Sequence, residues 1–449
     1  MLVVRNRTPI LCLLILLLPV LAACGSDSDD ASPNPTAVAT LNATPGTATA
    51  MASPVIDGTT PMASPVLDDS ASPVADSATA EASPVTYRDL TPAELVDFQP
   101  NEIGTIPIFM YHNIVTDPSL EGHLYRTTDE FTADLQWLYD RDFYLVGMND
   151  VVRGTLDVPA GKHPVVLTFD DSSSMHLSWQ MGPDGKPLTD ANGEYIPTPN
   201  CAVGLIEAFA DEHPDFGRTA HFSVIPTFKF SWPEYEQDDW YNSKLIWLLD
   251  HGYEIGNHTS GHQDLSTMFP EEFARNLTEP IIWTSGVVDP NDPNYAMGVL
   301  TLPYGAYPEG GWSGDQYWYL QDGFVYDGQP VHIEGVLLVC CGPSPSVFNT
   351  DFSKLWIPRI RGDDPDFKKF GDEIDAGWVG LYTSDGNPNT VTVPWPLPEY
   401  LWGKLDTDAV IGRGLTLVKY HPETGKIYPA REPEAKEGYN CPSETRITV

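Results

Sequence analysis

The chain has 449 residues, of which 63 are Asp or Glu and 24 are Lys or Arg, giving a formal net charge of −39 at pH 7. A surface this acidic repels phosphate, which excludes DNA, RNA and anionic lipid headgroups as expected partners. It is typical of secreted proteins and also of proteins from salt-adapted organisms, and no sequence feature indicates an oligomeric state.

The first 24 residues have the pattern of a secretory signal. Arg5 and Arg7 precede the apolar run at 10–21, which is too short to span a bilayer comfortably. The following LAAC at 21–24 resembles the lipobox of bacterial lipoproteins, in which the cysteine is lipidated. We therefore expect an extracytoplasmic protein anchored to the bacterial cell membrane through Cys24. A plain signal peptide with an incidental cysteine is the alternative.

Residues 25–86 contain no Lys, Arg, Phe, Tyr or Trp, and they repeat the tetrapeptide ASPV. A segment with so little apolar surface to bury cannot offset the entropy of ordering its backbone. We expect a disordered Ala/Ser/Pro/Thr linker. All the aromatic residues fall in 87–449, where the folded part must lie.

From residue 105 onward, short apolar runs alternate with helix-like stretches, as in a parallel sheet with crossover helices. The helix predicted over 127–142 has capping-box spacing at Thr127 and Glu130, and a second helix over 243–252 ends at Gly252. Seven to eight strands indicate an α/β barrel. The runs that predict strands are 106–112, 143–148, 163–169, 219–225, 253–257, 298–304 and 335–340, with IPRIRG after 356 as a late strand.

We assign residues 87–365 to this barrel. Within it, the Gly- and Asp-rich stretch at 173–200 predicts an inserted hairpin or loop, placed where it can shape substrate access. Residues 366–449 are rich in Pro and aromatic residues, and they are expected to form a C-terminal extension packed on the barrel.

Three of the predicted strands end in polar motifs, at 168–171 (TFDD), 256–262 (GNHTSGH) and 302–305 (LPYG). Sites in barrels are built at the carboxyl ends of strands. His258 and His262 project from one face if they lie on a helical turn, and two histidines with one aspartate form a metal triad with open positions. A histidine pair that only decorates a helix surface is the alternative.

Asp170 and Asp171 follow a strand that reads as buried. Neighbouring strand residues point to opposite faces, so both carboxylates can enter one site only where the strand ends and the chain turns. The serines at 172–174 are expected to supply that turn. Alternatively, Asp171 caps a helix and Asp170 is a structural acceptor.

In this order and at strand ends, TFDD, HTSGH and LPYG resemble the motifs of the polysaccharide deacetylase family, also known as the NodB-homology domain or carbohydrate esterase family 4. PIFMYHNI at 107–114 resembles the first strand of its exopolysaccharide and peptidoglycan deacetylase members. The resemblance covers roughly 105–360. It implies a distorted (β/α) barrel with one divalent metal, zinc first and Co, Ni or Fe as alternatives. It also implies removal of N-acetyl groups from peptidoglycan, an exopolysaccharide or a chitin-like polymer.

The resemblance assigns a role to each matching residue. Asp171, His258 and His262 would be the metal ligands, and Asp170 would be the general base. A backbone N–H at Tyr304 would bind the oxyanion of the tetrahedral intermediate.

Two residues that assist catalysis in the family, an arginine and an acid histidine, are not plainly present in this sequence. Thr301 stands where the family has an arginine that orients the base, and Arg359 or Arg361 could replace it. Where the family has an acid histidine, the sequence has Lys419, with His421 two residues later. The acid is therefore open among His421, His332 and His112, or absent.

Two alternatives to the deacetylase remain. One is a glycan-binding lipoprotein that keeps the barrel without turnover, and the other is a related metal-dependent esterase or amidase. The presence of Asp170 and of all three candidate ligands favours catalysis.

Of the remaining cysteines, adjacent Cys340 and Cys341 are expected to pair outward rather than with each other.

Overall fold

The structure is a computed structural model, and it describes residues 87–429 apart from 121, 123, 232–235 and 309–310. The predicted signal peptide at 1–24 and linker at 25–86 lie outside these residues, as does Cys441. Within the described part of the chain, no helix combines the length and apolar character that crossing a bilayer would need.

Seven parallel strands close into a ring at the centre of the fold. The ring runs β1–β7–β6–β5–β4–β3–β2 and closes because β1 pairs with both β7 and β2. The predicted distorted (β/α) barrel is therefore confirmed. In chain order the strands are β1 (Ile108–Tyr111), β2 (His163–Phe169), β3 (His221–Val224), β4 (Glu254–Asn257), β5 (Tyr295–Thr301), β6 (Gly335–Cys341) and β7 (Ile357–Arg361).

The run predicted as a strand at 143–148 contributes less than expected. Only Phe143–Leu145 is extended, and it pairs with the start of β2 outside the ring. The other strands described form four two-stranded pairs: Thr105–Ile106 with Ser344–Pro345, Asn113–Val115 with Tyr125–Thr127, Phe324–Tyr326 with Gln329–Val331, and Thr390–Pro394 with Thr416–Tyr420.

Nine α-helices in the described residues surround the ring or cover its amino end. The second of them begins as the sequence predicts, because the Thr127 hydroxyl accepts the Glu130 N–H while the Glu130 carboxylate accepts the Thr127 N–H. The helices are α1 (Pro92–Phe98), α2 (Thr128–Tyr139), α3 (Met148–Arg153), α4 (Ala202–Glu212), α5 (Tyr241–Asp250), α6 (Pro270–Ser285), α7 (Gly314–Asp322), α8 (Asp364–Asp375) and α9 (Thr407–Gly412).

The ring is filled by side chains from its own strands. Ile108, Val166, Val299, Leu337 and Ile357 come from five different strands and belong to one buried cluster. Side chains that fill the centre make a small barrel a packed core and not a pore. Any site must therefore lie at an end of the ring.

The C-terminal region lies partly against the wall of the barrel and partly at its amino end. The sequence boundary at 365/366 falls inside α8, whose Phe367 and Phe370 rings lie 4.9 and 5.6 Å from Phe109 of β1. Gly380, which follows α8, accepts a hydrogen bond at its carbonyl from the N–H of Thr105, just before β1 begins. The carboxyl ends of the strands are on the opposite side.

The segment at 173–200 follows β2 and folds back on itself. Antiparallel bridges join Trp179 to Pro197, Met181 to Pro187 and Thr189 to Tyr195. Its base is fixed because the buried Trp179 exchanges two backbone hydrogen bonds with the Gln237 side chain.

Candidate metal centre

The polar motifs of β2 and β4 bring three metal-binding side chains together at the carboxyl end of the ring. Asp171 Oδ1 lies 3.2 Å from Nε2 of His258 and 3.1 Å from Nε2 of His262. One ligand atom from each of the three residues lies within 4.8 Å of the other two. Two imidazoles and a carboxylate at this spacing form a donor set that suits a divalent first-row metal.

The turn after β2 separates the two aspartates into different environments. Asp171 has φ +79° and Ser172 has φ +50°, so the extended chain stops at Asp170 and reverses. The turn is held because the Ser172 hydroxyl accepts the Ile225 N–H at 2.8 Å, just beyond β3. The serines thus supply the turn that the sequence predicts, and both carboxylates face the same end of the barrel.

His258 and His262 do not lie on a helical turn, contrary to the sequence expectation. The chain after β4 makes an irregular turn with φ +67° at Thr259 and +54° at His262. The Asn257 carboxamide holds this turn, since it accepts the Thr259 N–H and donates to the Leu277 carbonyl of α6. The two ring centres are 4.9 Å apart, because the turn brings them together without helical spacing.

The Thr301 backbone orients His258. The Thr301 carbonyl lies 2.9 Å from His258 Nδ1, so we assign a proton to Nδ1, and Nε2 faces Asp171. In the absence of a cation Nε2 also carries a proton, which it shares with Asp171. The Thr301 hydroxyl is turned away and bonds to the Ser223 hydroxyl at 2.6 Å. Thr301, at the position where the family that the motifs resemble has an arginine, therefore acts here through its backbone.

The electrostatics of the three side chains favour a positive charge between them. Burial would raise the pKa of Asp171, but hydrogen bonds from His258 and His262 hold it well below its ordinary value. Burial would lower the pKa of His258, but its bond to Asp171 and the charges of both aspartates raise it. These residues fit a bound divalent cation, which would take the place of the shared proton.

Asp170 is held by Arg359 in a buried ion pair. Two parallel hydrogen bonds of 2.9 and 2.8 Å join the guanidinium to both carboxylate oxygens. The same guanidinium also donates to the Thr168 hydroxyl and the Leu338 carbonyl. Burial would raise the pKa of Asp170, yet the charge and hydrogen bonds of Arg359 outweigh it and keep this pKa below its ordinary value.

Of the two arginines that the sequence offered as a replacement, the structure places only Arg359 at the base. Arg359 lies in the middle of β7, fully buried, whereas Arg361 at the strand end bonds to Asp366 at 2.7 Å. The sequence could not choose between them, because the choice depends on which way each side chain of β7 points.

Of the three histidines considered as the acid, the structure brings His112 to this end of the barrel. His112 directly follows β1, and Asp170 and Asp171 are among the charged groups that act on it. Burial lowers the pKa of His112, while these two aspartates oppose the shift. Its Nδ1 is buried without a hydrogen-bond partner among the described residues. Its place at a strand end is the signal that could have selected it.

His421 and His332 lie elsewhere, which corrects the assignment of His421 to the site. The His421 N–H donates to the Lys426 carbonyl, and the preceding Tyr420 hydroxyl donates to the Pro100 carbonyl, ahead of β1. His332 is exposed ahead of β6. Both are at the amino end of the ring. The sequence could not predict this, because spacing along the chain does not determine which end of the barrel a late segment reaches.

Tyr304 lies on the turn after β5, beside the histidines. Its φ is +58°, its ring centre is 4.4 Å from that of His262, and its side chain is 60% exposed. The turn therefore borders the open side of the three ligands. The oxyanion role of its backbone N–H stays a prediction.

Cys340 and Cys341 form a disulfide with each other, which corrects the expectation that they pair outward. Adjacent strand residues normally point to opposite faces. Here the pairing between β6 and β7 is irregular and Cys341 has φ +94°, so the alternation breaks and both sulfur atoms can meet. Among the described residues Cys201 is the free cysteine, and it is buried.

No protein-family profile matches the chain. Among solved structures, it is similar to the Streptococcus pyogenes deacetylase PplD in complex with acetate, at 18% identity and a TM-score of 0.40, covering 57% of this chain and 92% of that one. A Bacillus cereus polysaccharide deacetylase matches at 15% identity and a TM-score of 0.39, with 60% and 69% covered. A de-N-acetylase from Aggregatibacter actinomycetemcomitans matches at 12% identity and a TM-score of 0.37, with 59% and 99% covered. Each of these three proteins is named as a deacetylase or a de-N-acetylase.

Proposed function

We propose that this protein is a metal-dependent hydrolase that removes N-acetyl groups from an amino-sugar polysaccharide outside the cytoplasm. One observation carries the proposal. A carboxylate fixed on both oxygens by Arg359 stands next in sequence to Asp171, whose oxygen is shared by His258 and His262. Metal-dependent amide hydrolysis needs one set of side chains that binds the metal and a separate carboxylate that acts as the general base.

Asp171, His258 and His262 would hold the cation, zinc being the first choice and Co, Ni or Fe the alternatives. When bound, the cation supplies Lewis acidity for the scissile carbonyl and for water. The Thr301 carbonyl keeps the His258 ring oriented for this task. Tyr304 borders the open side, where its backbone N–H would receive the oxyanion.

Asp170 would accept a proton from the attacking water while Arg359 keeps both of its oxygens in place. The water oxygen joins the acetyl carbon, the carbon–nitrogen bond breaks, and the sugar nitrogen takes up a proton as acetate leaves. His112 would donate this proton, since it is the histidine of the three considered that lies beside the aspartates.

The substrate and the location of the protein follow from different features. The motif resemblance points to peptidoglycan, an exopolysaccharide or a chitin-like polymer. The acidic composition and the lipobox at 21–24 support a protein outside the cytoplasm, tethered to the membrane through lipidated Cys24 and a long linker.

The decisive experiment measures acetate released from N-acetylglucosamine oligomers by the purified chain, with and without added zinc. We expect release by the wild type, and none by Asp170→Asn with its metal retained. If no amino-sugar polymer yields acetate, the proposal fails in favour of a glycan-binding protein. If acetyl esters are cleaved and acetamides are not, an esterase on the same barrel is indicated.

A further inference from the structure

The Cys340–Cys341 disulfide closes the carboxyl end of β6, between two parts of the candidate metal centre. On one side is β7, which carries Arg359, and on the other is the turn that carries Tyr304. Cys341 is exposed and Cys340 is partly buried, so the bond is accessible from solvent.

The strand end that carries the disulfide supports Arg359. Cys341 is the pairing partner of Arg359 across the two strands. Three residues before Cys341, the Leu338 carbonyl accepts the hydrogen bond from Arg359 Nε. The same guanidinium grips Asp170 through its two terminal nitrogens, so a shift of this carbonyl would move the base.

The same strand end supports the turn after β5. A Cβ added at Gly305 would lie 2.2 Å from Val339 Cγ2, so the turn rests directly on the Val339 side chain. Gly305 also has φ +59°, and the contact leaves room only for glycine. Tyr304 directly precedes Gly305, so the contact with Val339 also helps to hold Tyr304 beside His262.

The disulfide fixes a backbone conformation that Cys341 would otherwise avoid. A residue with a Cβ rarely adopts φ near +94°, because its side chain crowds the backbone. The bond joins neighbouring side chains into a small ring with the peptide between them, which removes most of the rotations through which Cys341 could relax. Without the bond we expect Cys341 to return to negative φ and the end of β6 to move.

We propose that the Cys340–Cys341 disulfide is a positioning element of the catalytic centre. It holds the Leu338 carbonyl and the Val339 side chain in place, and through them the Arg359 guanidinium and the Tyr304 turn. The effect on rate rests on the deacetylase function proposed above, whereas the effect on backbone order does not.

The test compares the oxidised protein with the same protein reduced by tris(2-carboxyethyl)phosphine. The phosphine and one water cleave the sulfur–sulfur bond, giving two thiols and a phosphine oxide, and mass spectrometry after alkylation counts the thiols. We expect kcat for acetate release to fall about 10- to 100-fold, since small displacements of catalytic groups cost this much. KM should stay within about twofold, because Arg359 orients the base and the Tyr304 N–H would bind the oxyanion, so both act on the transition state and not on the bound substrate.

The variant Cys340→Ser/Cys341→Ser is the matched control. It should show the low kcat without reductant and no further response to the phosphine, which separates loss of the disulfide from any effect of phosphine on the metal. Reoxidation of the reduced wild type should restore its rate. An unchanged kcat after complete reduction overturns the proposal, and so does a rise in KM at constant kcat, which would mark a substrate-contacting role instead.

Hydrogen exchange gives a readout that does not depend on activity. On reduction, peptides covering 302–306 and 357–361 should exchange faster, while the remote hairpin at 324–331 should not change. Unchanged exchange at 302–306 and 357–361 overturns the proposal even if acetate release is confirmed. Conversely, if the wild type releases no acetate but shows this exchange pattern, the deacetylase function is rejected and the positioning role of the disulfide is retained.

Discussion

Arg359 and Asp170 form an ion pair inside the barrel in which the two terminal nitrogens of the guanidinium face the two carboxylate oxygens. The guanidinium is fully buried, and the carboxylate residue is only 2% exposed. A buried pair of this kind adds little net stability, but removing one partner leaves an uncompensated charge in the interior. Its value here is geometric, because the planar fork of arginine holds both oxygens of the base in one orientation.

Replacing Arg359 by lysine should lower kcat for acetate release about 10- to 100-fold and leave the metal content unchanged. A single ammonium cannot reach both oxygens of Asp170, the Thr168 hydroxyl and the Leu338 carbonyl at once. Steady-state kinetics and elemental analysis measure the two quantities. A lysine variant with the wild-type kcat would show that the orientation of the base is unimportant.

Replacing Arg359 by methionine should lower the free energy of unfolding by about 3–5 kcal/mol, since Asp170 would remain buried and unpaired. Adding Asp170→Asn should recover part of this loss, because the remaining group is then neutral. Urea unfolding of the single and double variants measures both the loss of unfolding free energy and its partial recovery. If the double variant is less stable than the sum of the two single variants predicts, the pair is not the origin of the effect.

His258→Ala should abolish stoichiometric metal binding, which in the wild type we expect at about one divalent ion per chain. The variant removes one of three converging donors and leaves Asp171 without a buried partner. Elemental analysis and the melting temperature with and without chelator measure the loss, because a bound metal stabilises the folded chain. The control is His332→Ala, at the other end of the ring, which should keep its metal. Equal metal content in both variants would contradict the ligand assignment.

His112→Asn should lower kcat by about 10²- to 10⁴-fold, the usual contribution of a general acid. The matched variant His421→Asn should retain the wild-type rate, because that residue lies at the amino end of the barrel. Rates for both variants should be measured with acetamide substrates and with activated acetyl esters, whose leaving groups need no proton. A similar loss with both substrates would point to a structural role for His112.

His176 should make the protein less stable as the pH falls. Burial lowers its pKa to about 4, although its hydrogen bond to the His112 carbonyl opposes the shift, and its Nδ1 is buried without a partner among the described residues. The unfolded chain binds a proton at this residue below about pH 6.5, whereas the folded chain does so only near pH 4. Its contribution, about 3 kcal/mol, is present above pH 6.5 and is lost as the pH falls to 4.

The measurement is the free energy of unfolding from pH 7.5 to pH 4 for the wild type and for His176→Gln, which keeps a donor for the His112 carbonyl. The variant should lose less stability over this range. His332→Gln, with its exposed ring, is the control and should follow the wild type. Parallel curves for the wild type and His176→Gln would contradict the prediction.

Cys24→Ser should move the protein from the membrane fraction to the soluble extracytoplasmic fraction when it is expressed in a bacterium. The lipid would be attached at this cysteine, so the substitution would remove the proposed anchor. Fractionation and metabolic labelling with a palmitate analogue measure the change. Recovery of both proteins in the soluble extracytoplasmic fraction, without labelling of the wild type, would support the plain signal peptide.

The barrel could be predicted from the sequence because its signals are local. Apolar runs, a capping box at Thr127 and polar strand ends each depend on a few adjacent residues. The partners of these motifs could not be predicted, since they depend on long-range placement. Arg359 could be named only as one of two candidates, and His112 as one of three.

Two local expectations were wrong because a left-handed backbone replaced the regular geometry that they assumed. The histidine pair lies on an irregular turn at Thr259 and His262 instead of a helix, and Cys341 breaks strand alternation. Residues other than glycine adopt such φ values only where the surrounding structure imposes them. Composition and spacing carry no signal for this.

The closed ring has a consequence for when the protein can begin to work. Asp170 directly follows the second strand, and Arg359 lies on the seventh, 189 residues later in the chain. The two can meet only after β7 has inserted between β1 and β6, which is among the last events that a growing or refolding chain can reach. Contacts between such distant segments form slowly, because the entropy of the intervening loop must first be overcome. Under the proposed function, a nascent chain that has emerged only as far as β6 is chemically silent, and hydrolysis begins with the closure of the barrel itself.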